Sequence, residues 1–168
     1  MTGDADNEQL RELVAAGSTH QPAPAAAGAI VPMIAMRIGA RWFGVDAERV
    51  REVVTLEAIT AVPGAVQWVL GVALVRGRLV PVLDLPTMLG TPRGGDAAVT
   101  RPRLAVLTDG ESEAAVIADE TRGVLELPPA NPNPSRFVRG ELRWSGSLMA
   151  VLDAKAIVDV VTGEDPQR

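Results

Sequence analysis

Two aspartates, Asp84 and Asp153, come nearest to catalytic chemistry in this sequence, because a pair of carboxyl groups can act as general acid and general base. Each aspartate follows an aliphatic run and precedes a stretch that can form a helix. An aspartate in that position is also a common helix N-cap, which stabilises a protein by about 1 kcal/mol. We therefore interpret both residues as structural caps and not as an acid and base pair.

Other arrangements that support catalysis are missing from the sequence. It has no cysteine and one histidine, His20, which lies at the edge of an Ala- and Pro-rich stretch. A single histidine in a linker cannot supply the clustered ligands of a zinc site, and it is not expected to be positioned as the base for a serine nucleophile. Neither a Gly-x-x-x-x-Gly-Lys phosphate loop nor a Gly-x-Ser-x-Gly motif occurs. The sequence predicts a protein that is not an enzyme and that uses no metal or cofactor.

The segments that lead to the two aspartates are related to each other. When residues 70–85 are shifted by 69 positions, six of sixteen residues are identical, where background frequencies predict roughly one. The identical pairs are Gly71/Gly140, Gly77/Gly146, Leu79/Leu148, Val82/Val151, Leu83/Leu152 and Asp84/Asp153. Both segments have the pattern of a strand, a tight glycine turn and a second strand. We interpret the chain as an internal duplication of one small β unit.

Short strands and turns also account for the rest of the chain. Alternating apolar residues and turn signals predict further strands at 33–38, 42–45, 50–54, 103–108 and 113–118. The other predicted features are a helical turn at 47–49 capped by Asp46, a two-residue Asp109-Gly110 turn, a proline-rich loop at 128–134 and an amphipathic helix at about 154–162. Together they predict a mainly β fold of two small barrels packed side by side, with short helices and a C-terminal helix.

The predicted domain organisation has one structured region between two tails. Residues 1–31 are expected to form a flexible Ala- and Pro-rich tail, and residues 164–168 a short one. The domain covers 32–163, with a first barrel at about 32–92 and a second at about 93–163. The exposed Pro- and Gly-rich stretch after Gly90 supplies the boundary.

Composition narrows the class of partner and the location. A net charge of −5 and a pI near 4.9 disfavour a nucleic-acid-binding protein, which is usually basic. The uncharged run at 58–75 contains a proline and glycines, so it does not predict a membrane-spanning helix. The N-terminus is acidic, unlike a signal peptide. We expect a cytoplasmic protein that does not insert into a membrane.

The two repeats differ in their turns, which contain Arg76-Gly77 in the first and Ser145-Gly146 in the second. A residue needed only for the turn can recur, whereas one that contacts a partner can be confined to one copy. Arg76 is therefore either a partner-binding residue or an incidental solvated arginine. Trp68 and Trp144 are likewise either barrel core or exposed anchors.

Several of these segments resemble the CheW-like adaptor domain of bacterial chemosensory systems. The matching residues are Phe43-Gly44-Val45-Asp46 with Val50-Arg51-Glu52-Val53, and Leu70-Gly71-Val72-Ala73-Leu74-Val75-Arg76-Gly77 with Val80-Pro81-Val82-Leu83-Asp84-Leu85. Ala118-Asp119 and Phe137-Val138-Arg139-Gly140 resemble the second barrel of the family more weakly. The resemblance covers about residues 32–163.

This resemblance implies two SH3-like five-stranded barrels and a non-catalytic scaffold. Adaptors of this kind couple the cytoplasmic tip of a chemoreceptor to the regulatory domain of a CheA-type histidine kinase, beneath the membrane or in a cytoplasmic array. That regulatory domain is itself CheW-like, and other CheW-like domains are further candidate partners. By motif position, the residues implicated in partner binding are Val50, Glu52, Gly71, Arg76 and Gly140. Glu52 and Arg76 are expected to pair across the first barrel.

Two departures from the family pattern leave alternatives open. Leu74 stands where the family usually has Asn, and Ala115 stands where many members have Gly. One alternative is a divergent CheW-like protein of a motility or developmental pathway that binds only one of the two partners. Alternatives from other classes are a small β-barrel that binds nucleic acid and a hydrolase that depends on Asp84.

Overall fold

A computed structural model describes residues 28–92 and 101–163 of the chain. The strands are β1 (Val31–Ile38), β2 (Arg41–Asp46), β3 (Val50–Thr55), β4 (Val69–Val75), β5 (Arg78–Leu83), β6 (Arg103–Thr108), β7 (Glu113–Ala118), β8 (Glu120–Leu127), β9 (Asn131–Ser135), β10 (Val138–Trp144) and β11 (Ser147–Leu152). The helices are α1 (Leu85–Met88) and α2 (Ala154–Thr162), and a 3-10 turn covers Ala47–Arg49. Neither described α-helix is long and apolar enough to cross a bilayer. Most of the predicted N-terminal tail with His20, part of the predicted boundary and the C-terminal tail lie outside the described residues.

The strands form two sheets with the same internal order. One sheet has the order β3-β6-β7-β5-β4, and the other has the order β8-β1-β2-β11-β10-β9. We call the first set of strands the first barrel and the second set the second barrel. The predicted mainly β fold with two small barrels, short helices and a C-terminal helix is confirmed. The second barrel has a sixth strand, because the predicted proline-rich loop contains β9 at the edge of the sheet, where proline is tolerated.

The two barrels do not follow one another along the chain, so the predicted division at 92/93 is wrong about which strands share a barrel. The β1–β2 hairpin joins the second barrel through a parallel pairing of Phe43 with Ala150. In the same way, the β6–β7 hairpin joins the first barrel through a parallel pairing of Ala115 with Val82. Each half of the duplication therefore gives its first hairpin to the other half. Strand patterns identify hairpins, but they do not identify the sheet that a hairpin joins.

Strand alternation supplies three apolar cores, because successive side chains point to opposite faces. In β6, Leu104 and Val106 point into the first barrel, while Ala105 and Leu107 pack between the barrels. The core between the barrels also contains Met36, Phe43, Val45, Leu83, Val116, Leu152, Ile157 and Val158. The second barrel encloses Met33, Ala35, Leu127, Leu142, Met149 and Val151. Helix α2 thus packs against the junction of the two barrels.

The two repeated hairpins have equivalent turns. Arg76 and Gly77 have φ angles of 47° and 80°, and Ser145 and Gly146 have φ angles of 50° and 79°. Two successive positive φ angles are typical of the type I′ turn of a tight hairpin. The predicted hairpins are confirmed, and their turns have nearly the same backbone conformation although their residues differ.

The predicted aspartate caps differ in outcome. Asp153 caps α2, because its Oδ1 accepts a hydrogen bond from the Ala156 N–H at 3.0 Å. Asp84 makes no such bond to the backbone of α1, and its carboxylate instead accepts from the Thr87 hydroxyl at 2.7 Å. Asp46 does not cap the 3-10 turn and pairs with Arg139. The cap prediction is therefore confirmed only for Asp153. Asp46 and Asp84 precede a single short turn of helix, and their carboxylates bond to side-chain donors instead.

Replacing Asp153 with alanine is expected to lower the free energy of unfolding by about 1 kcal/mol, the typical effect of losing a helix N-cap. Urea denaturation followed by circular dichroism measures the change. The matched control is Asp153→Ser, which keeps a side-chain acceptor at the N-cap and should retain most of the stability. An Asp153→Ala protein as stable as the unaltered chain would contradict the capping role.

The connection between β6 and β7 is longer than the predicted two-residue turn. The last pair of this hairpin is Thr108 with Glu113, so four residues form the connection. Asp109 holds it through its Oδ1, which accepts from the N–H groups of Ser112 at 2.7 Å and Glu111 at 2.8 Å. These backbone bonds lower the pKa of the Asp109 carboxyl below its ordinary value.

A lowered folded-state pKa means that Asp109 stabilises the protein above its unfolded-state pKa of about 4. This stabilisation is lost as the pH falls through the folded-state value. We expect Asp109→Ala to reduce thermal stability slightly at pH 7, with the difference from the unaltered chain shrinking below pH ~4. Thermal unfolding of both proteins between pH 3 and pH 7 measures this. A difference that grows at low pH would contradict the bonding pattern.

Candidate functional site

A continuous chain of ion pairs covers the end of the first barrel where β3, β5 and β7 begin. Arg76 Nε donates to Glu52 Oε2 at 2.5 Å, and the other oxygen of Glu52 accepts from Arg78 Nη2 at 3.0 Å. Arg78 Nη1 also donates to Glu113, whose Oε1 lies 2.6 Å from Arg51 Nη1. We call these five side chains the ion-pair network. The predicted pairing of Glu52 with Arg76 is present in the structure.

The glutamate side chains of the network are more buried than the arginine side chains. The side chains of Glu52 and Glu113 are each 14% exposed, whereas that of Arg76 is 76% exposed. Arg76 and Arg78 both donate to Glu52 and cover it. Hydrogen bonding to Glu113 is the largest cause that raises the pKa of Arg78. With three arginines and two glutamates, the network presents a net positive charge on an acidic protein.

The same place in the second barrel carries different chemistry. The strand pairings show which residues of the two barrels are equivalent. For example, Val54 pairs with Leu104 in the first barrel, and the equivalent pair in the second barrel is Leu125 with Met33. Arg51, Glu52, Arg76, Arg78 and Glu113 correspond in this way to Arg122, Gly123, Ser145, Ser147 and Trp42. Only the first of these pairs conserves a charge. The duplication therefore repeats the fold but not the ion-pair network.

Aromatic side chains replace the network in the second barrel. The rings of Trp42 and Trp144 meet edge to face with centroids 4.8 Å apart, and the Arg122 guanidinium lies 5.8 Å from the Trp42 ring. Trp144 packs against the core of the second barrel. Trp68 packs against the core between the barrels. These contacts favour the core interpretation of both tryptophans over exposed anchors.

An exposed apolar pair adjoins Arg76. Leu74 and Leu79 lie opposite each other on β4 and β5, and each is 70% exposed. From the sequence alone, Leu74 is noted only as a departure from the family pattern and Leu79 only as a repeated residue, and the two are not paired. Ala115, the other departure, is fully buried in the first barrel core and has no part in this surface.

The structure does not bring all five predicted site residues together. Glu52 and Arg76 are in contact, whereas Val50 packs at the edge of the core between the barrels. Gly71 is buried at the opposite end of β4, and Gly140 occupies the equivalent place in the second barrel. The residues that sequence reasoning missed are Arg51, Arg78 and Glu113. Arg78 could have been found from the sequence, because it lies two positions after Arg76 and begins the facing strand of the predicted hairpin.

The two glycines are sites of close backbone approach. Gly71 has a φ angle of 144°, and a Cβ atom there would overlap the carbonyl group of Thr60. A Cβ atom at Gly140 would overlap the carbonyl oxygen of Asn131. Each glycine thus lets a neighbouring segment pass against its strand. Their contribution to partner binding stays a prediction.

The described residues do not form a metal site. Within 28–92 and 101–163, no three His, Cys, Asp or Glu side chains are arranged so that they could hold a metal ion. The ion-pair network places guanidinium groups beside an exposed apolar pair, a combination that is common at protein–protein interfaces.

Comparisons with known proteins agree with this fold. The sequence profile of the CheW-like domain family matches residues 32–162. The chain is 28% identical over 141 residues to the probable chemotaxis protein CheW of Rhizobium etli, a match that covers 79% of this chain and 90% of that protein. It is 37% identical over 95 residues to protein PilI of Pseudomonas aeruginosa, covering 56% of this chain and about half (52%) of PilI. Protein FrzA of Myxococcus xanthus is 35% identical over 99 residues, covering 58% of this chain and 60% of FrzA.

A solved structure shows the same fold. The crystal structure of the scaffolding protein TtCheW from Thermoanaerobacter tengcongensis matches with a TM-score of 0.63 and 21% sequence identity, covering 74% of this chain and 90% of TtCheW. The two described barrels are SH3-like barrels of this kind. Since the family profile extends from the start of β1 to the end of α2, the chain belongs to the CheW-like domain family.

Proposed function

We propose that this chain is a non-catalytic adaptor that couples the cytoplasmic tips of chemoreceptors to the regulatory domain of a CheA-type histidine kinase. The ion-pair network carries the proposal, because it is a charged, partly exposed surface confined to one of two duplicated barrels. A residue set maintained only for folding would be expected in both. The family membership supports a scaffold in place of an enzyme.

The proposed partners follow from the family and from the names of relatives. Two relatives are named as chemotaxis proteins, in Rhizobium etli and Rhizobium meliloti. We propose a cytoplasmic location, with clustering beneath the membrane or in a cytoplasmic array through the receptors. Nucleic-acid binding is not favoured, since the arginines of the network are paired with glutamates and no described aromatic side chain contacts them.

Binding to purified partner fragments tests the proposal. The full chain is mixed with a receptor cytoplasmic-tip fragment and a kinase regulatory domain from the same genome, and size-exclusion chromatography with light scattering gives the composition of the complexes. The proposal predicts binding of each fragment and a complex that contains all three. Binding of a single fragment would replace it with the narrower adaptor role. A folded chain that binds neither fragment would contradict both.

A further inference from the structure

The outer strands of the first barrel, β3 and β4, are not hydrogen-bonded to each other. They flank a groove of about 270 Å³ lined by the end of β3, residues 56–58 and the end of β4. Leu74 and Arg76 stand on its β4 side. The edge of an open sheet is a place where a further extended segment can pair through its backbone.

The backbone of β4 is oriented for such pairing. Val72 exchanges hydrogen bonds of 2.8 and 2.9 Å with Thr60, so its backbone groups point away from β5. Two residues further along β4, Leu74 lies opposite Leu79, in the same kind of pair that Val72 forms with Pro81. Because this orientation repeats every second residue, the N–H and C=O of Leu74 point to the same edge, beyond the single bridge made by Thr60. No described strand pairs with β4 there.

The side chains around this edge define the chemistry of a fitting segment. Leu74 and Leu79 form an apolar pair, and Arg76 stands at one end with most of its side chain exposed. Arg103 adds a cation on the opposite side, where it donates to the Thr55 hydroxyl at 3.0 Å. Glu57 lines the groove as well. A segment with an acidic residue beside Arg76 and apolar residues beside Leu74 matches this arrangement.

We propose that the edge of β4 binds an extended, acidic and apolar segment of a partner protein by strand addition. The existence of a protein partner rests on the proposed function, and the inference adds the chemistry of the segment and its mode of binding. The equivalent strand of the second barrel, β10, has Arg143 opposite Leu148 where β4 has Leu74 opposite Leu79. In the second barrel β9 is the outer strand, and its pairing with β10 ends at Glu141, so no described strand covers Arg143 on that side. A charge on such an uncovered stretch opposes unintended pairing, and leucine at the equivalent place leaves the first barrel as the receptive one.

A peptide titration tests the inference directly. The full chain, labelled with nitrogen-15, is titrated with a blocked hexapeptide that alternates glutamate and valine. The backbone amide resonances of Leu74 and Arg76 should shift in a saturable way. A hexapeptide N-methylated at alternate residues cannot complete the backbone pairing and should bind below detection, and a lysine-for-glutamate peptide should bind at least about fivefold more weakly.

Three variants separate the edge from the general surface. Leu74→Pro removes the outward N–H and should abolish the shifts. Leu74→Glu keeps the backbone, places a like charge beside the glutamates of the peptide and should weaken binding about tenfold or more. Leu148→Glu, at an exposed leucine of the second barrel, should leave binding unchanged. Equal binding by the N-methylated peptide, or by both Leu74 variants, would overturn the inference, as would the absence of any shift.

The chain's own N-terminal segment is the competing occupant. If the Leu74 amide is protected from hydrogen exchange in the free chain and loses this protection when residues 1–27 are removed, that segment occupies the edge and the partner inference is overturned. The titration uses neither receptor nor kinase. Its failure therefore leaves the adaptor proposal intact, and failure of the adaptor assay does not alter the peptide result.

Discussion

Replacing Arg76 with glutamate is expected to weaken binding of the receptor or kinase fragment by about tenfold or more while the protein stays folded. The new carboxylate would face Glu52 and reverse the charge at the most exposed point of the ion-pair network. Glu52 would keep its bond to Arg78. The exposed Arg76–Glu52 pair contributes only about 0 to 1 kcal/mol to stability, so the fold should tolerate the change. Isothermal titration calorimetry with each fragment measures the loss.

The matched control for this variant is Ser145→Glu in the second barrel. Ser145 has the same place in its turn and nearly the same φ angle, so the two changes add the same side chain in the same backbone setting. We expect Ser145→Glu to bind both fragments like the unaltered chain. Unchanged affinity of Arg76→Glu for both fragments, with cooperative unfolding retained, would show that Arg76 is an incidental solvated arginine.

Replacing Gly71 with alanine is expected to lower the free energy of unfolding by about 3 kcal/mol or more. Two effects combine, because alanine rarely adopts a φ angle of 144° and its Cβ atom would lie 2.8 Å from the Thr60 carbonyl carbon. The carbonyl group of Thr60 belongs to the backbone, so a side-chain rotation cannot relieve the overlap. Urea denaturation measures the loss, and a reduced yield of folded protein is part of the same expectation.

Gly77→Ala separates these two effects. Gly77 has a φ angle of 80°, but a Cβ atom there has no neighbour within 4 Å. This variant should lose only about 1 kcal/mol from backbone strain. Equal losses at Gly71 and Gly77 would contradict the close approach of Thr60. The comparison also matters for function, since weak partner binding by a Gly71 variant can arise from a damaged barrel.

Local elements of this fold were predictable because their signals are local. The turn glycines and the alternation around them predicted the repeated hairpins, which the structure confirms. Helical spacing of apolar residues after Asp153 predicted α2 with its observed bounds. Where several donors compete for one carboxylate, prediction was weaker. Asp46 pairs with an arginine 93 residues away and leaves the adjacent turn uncapped.

The exchange of hairpins between the barrels was not predictable from strand patterns. Alternation specifies which face of a strand is buried, but both barrels bury the same kinds of side chain. The ion-pair network could not be fully predicted for the same reason. Glu52 and Arg76 were paired through a family resemblance, whereas Glu113 reaches Arg78 only because β7 of the second repeat lies beside β5 of the first. Residues that meet across exchanged elements leave no short-range pattern in the sequence.

Hydrogen-exchange footprinting of the bound chain tests most directly whether partners bind the first barrel. The full chain is exchanged alone and with a saturating amount of the kinase regulatory domain, and then with the receptor fragment. We expect slower exchange at 50–55 and 72–80 with at least one partner, and no change at the equivalent segments 121–126 and 141–149. Protection confined to those second-barrel segments, with 50–55 and 72–80 unaffected by either partner, would contradict binding through the first barrel.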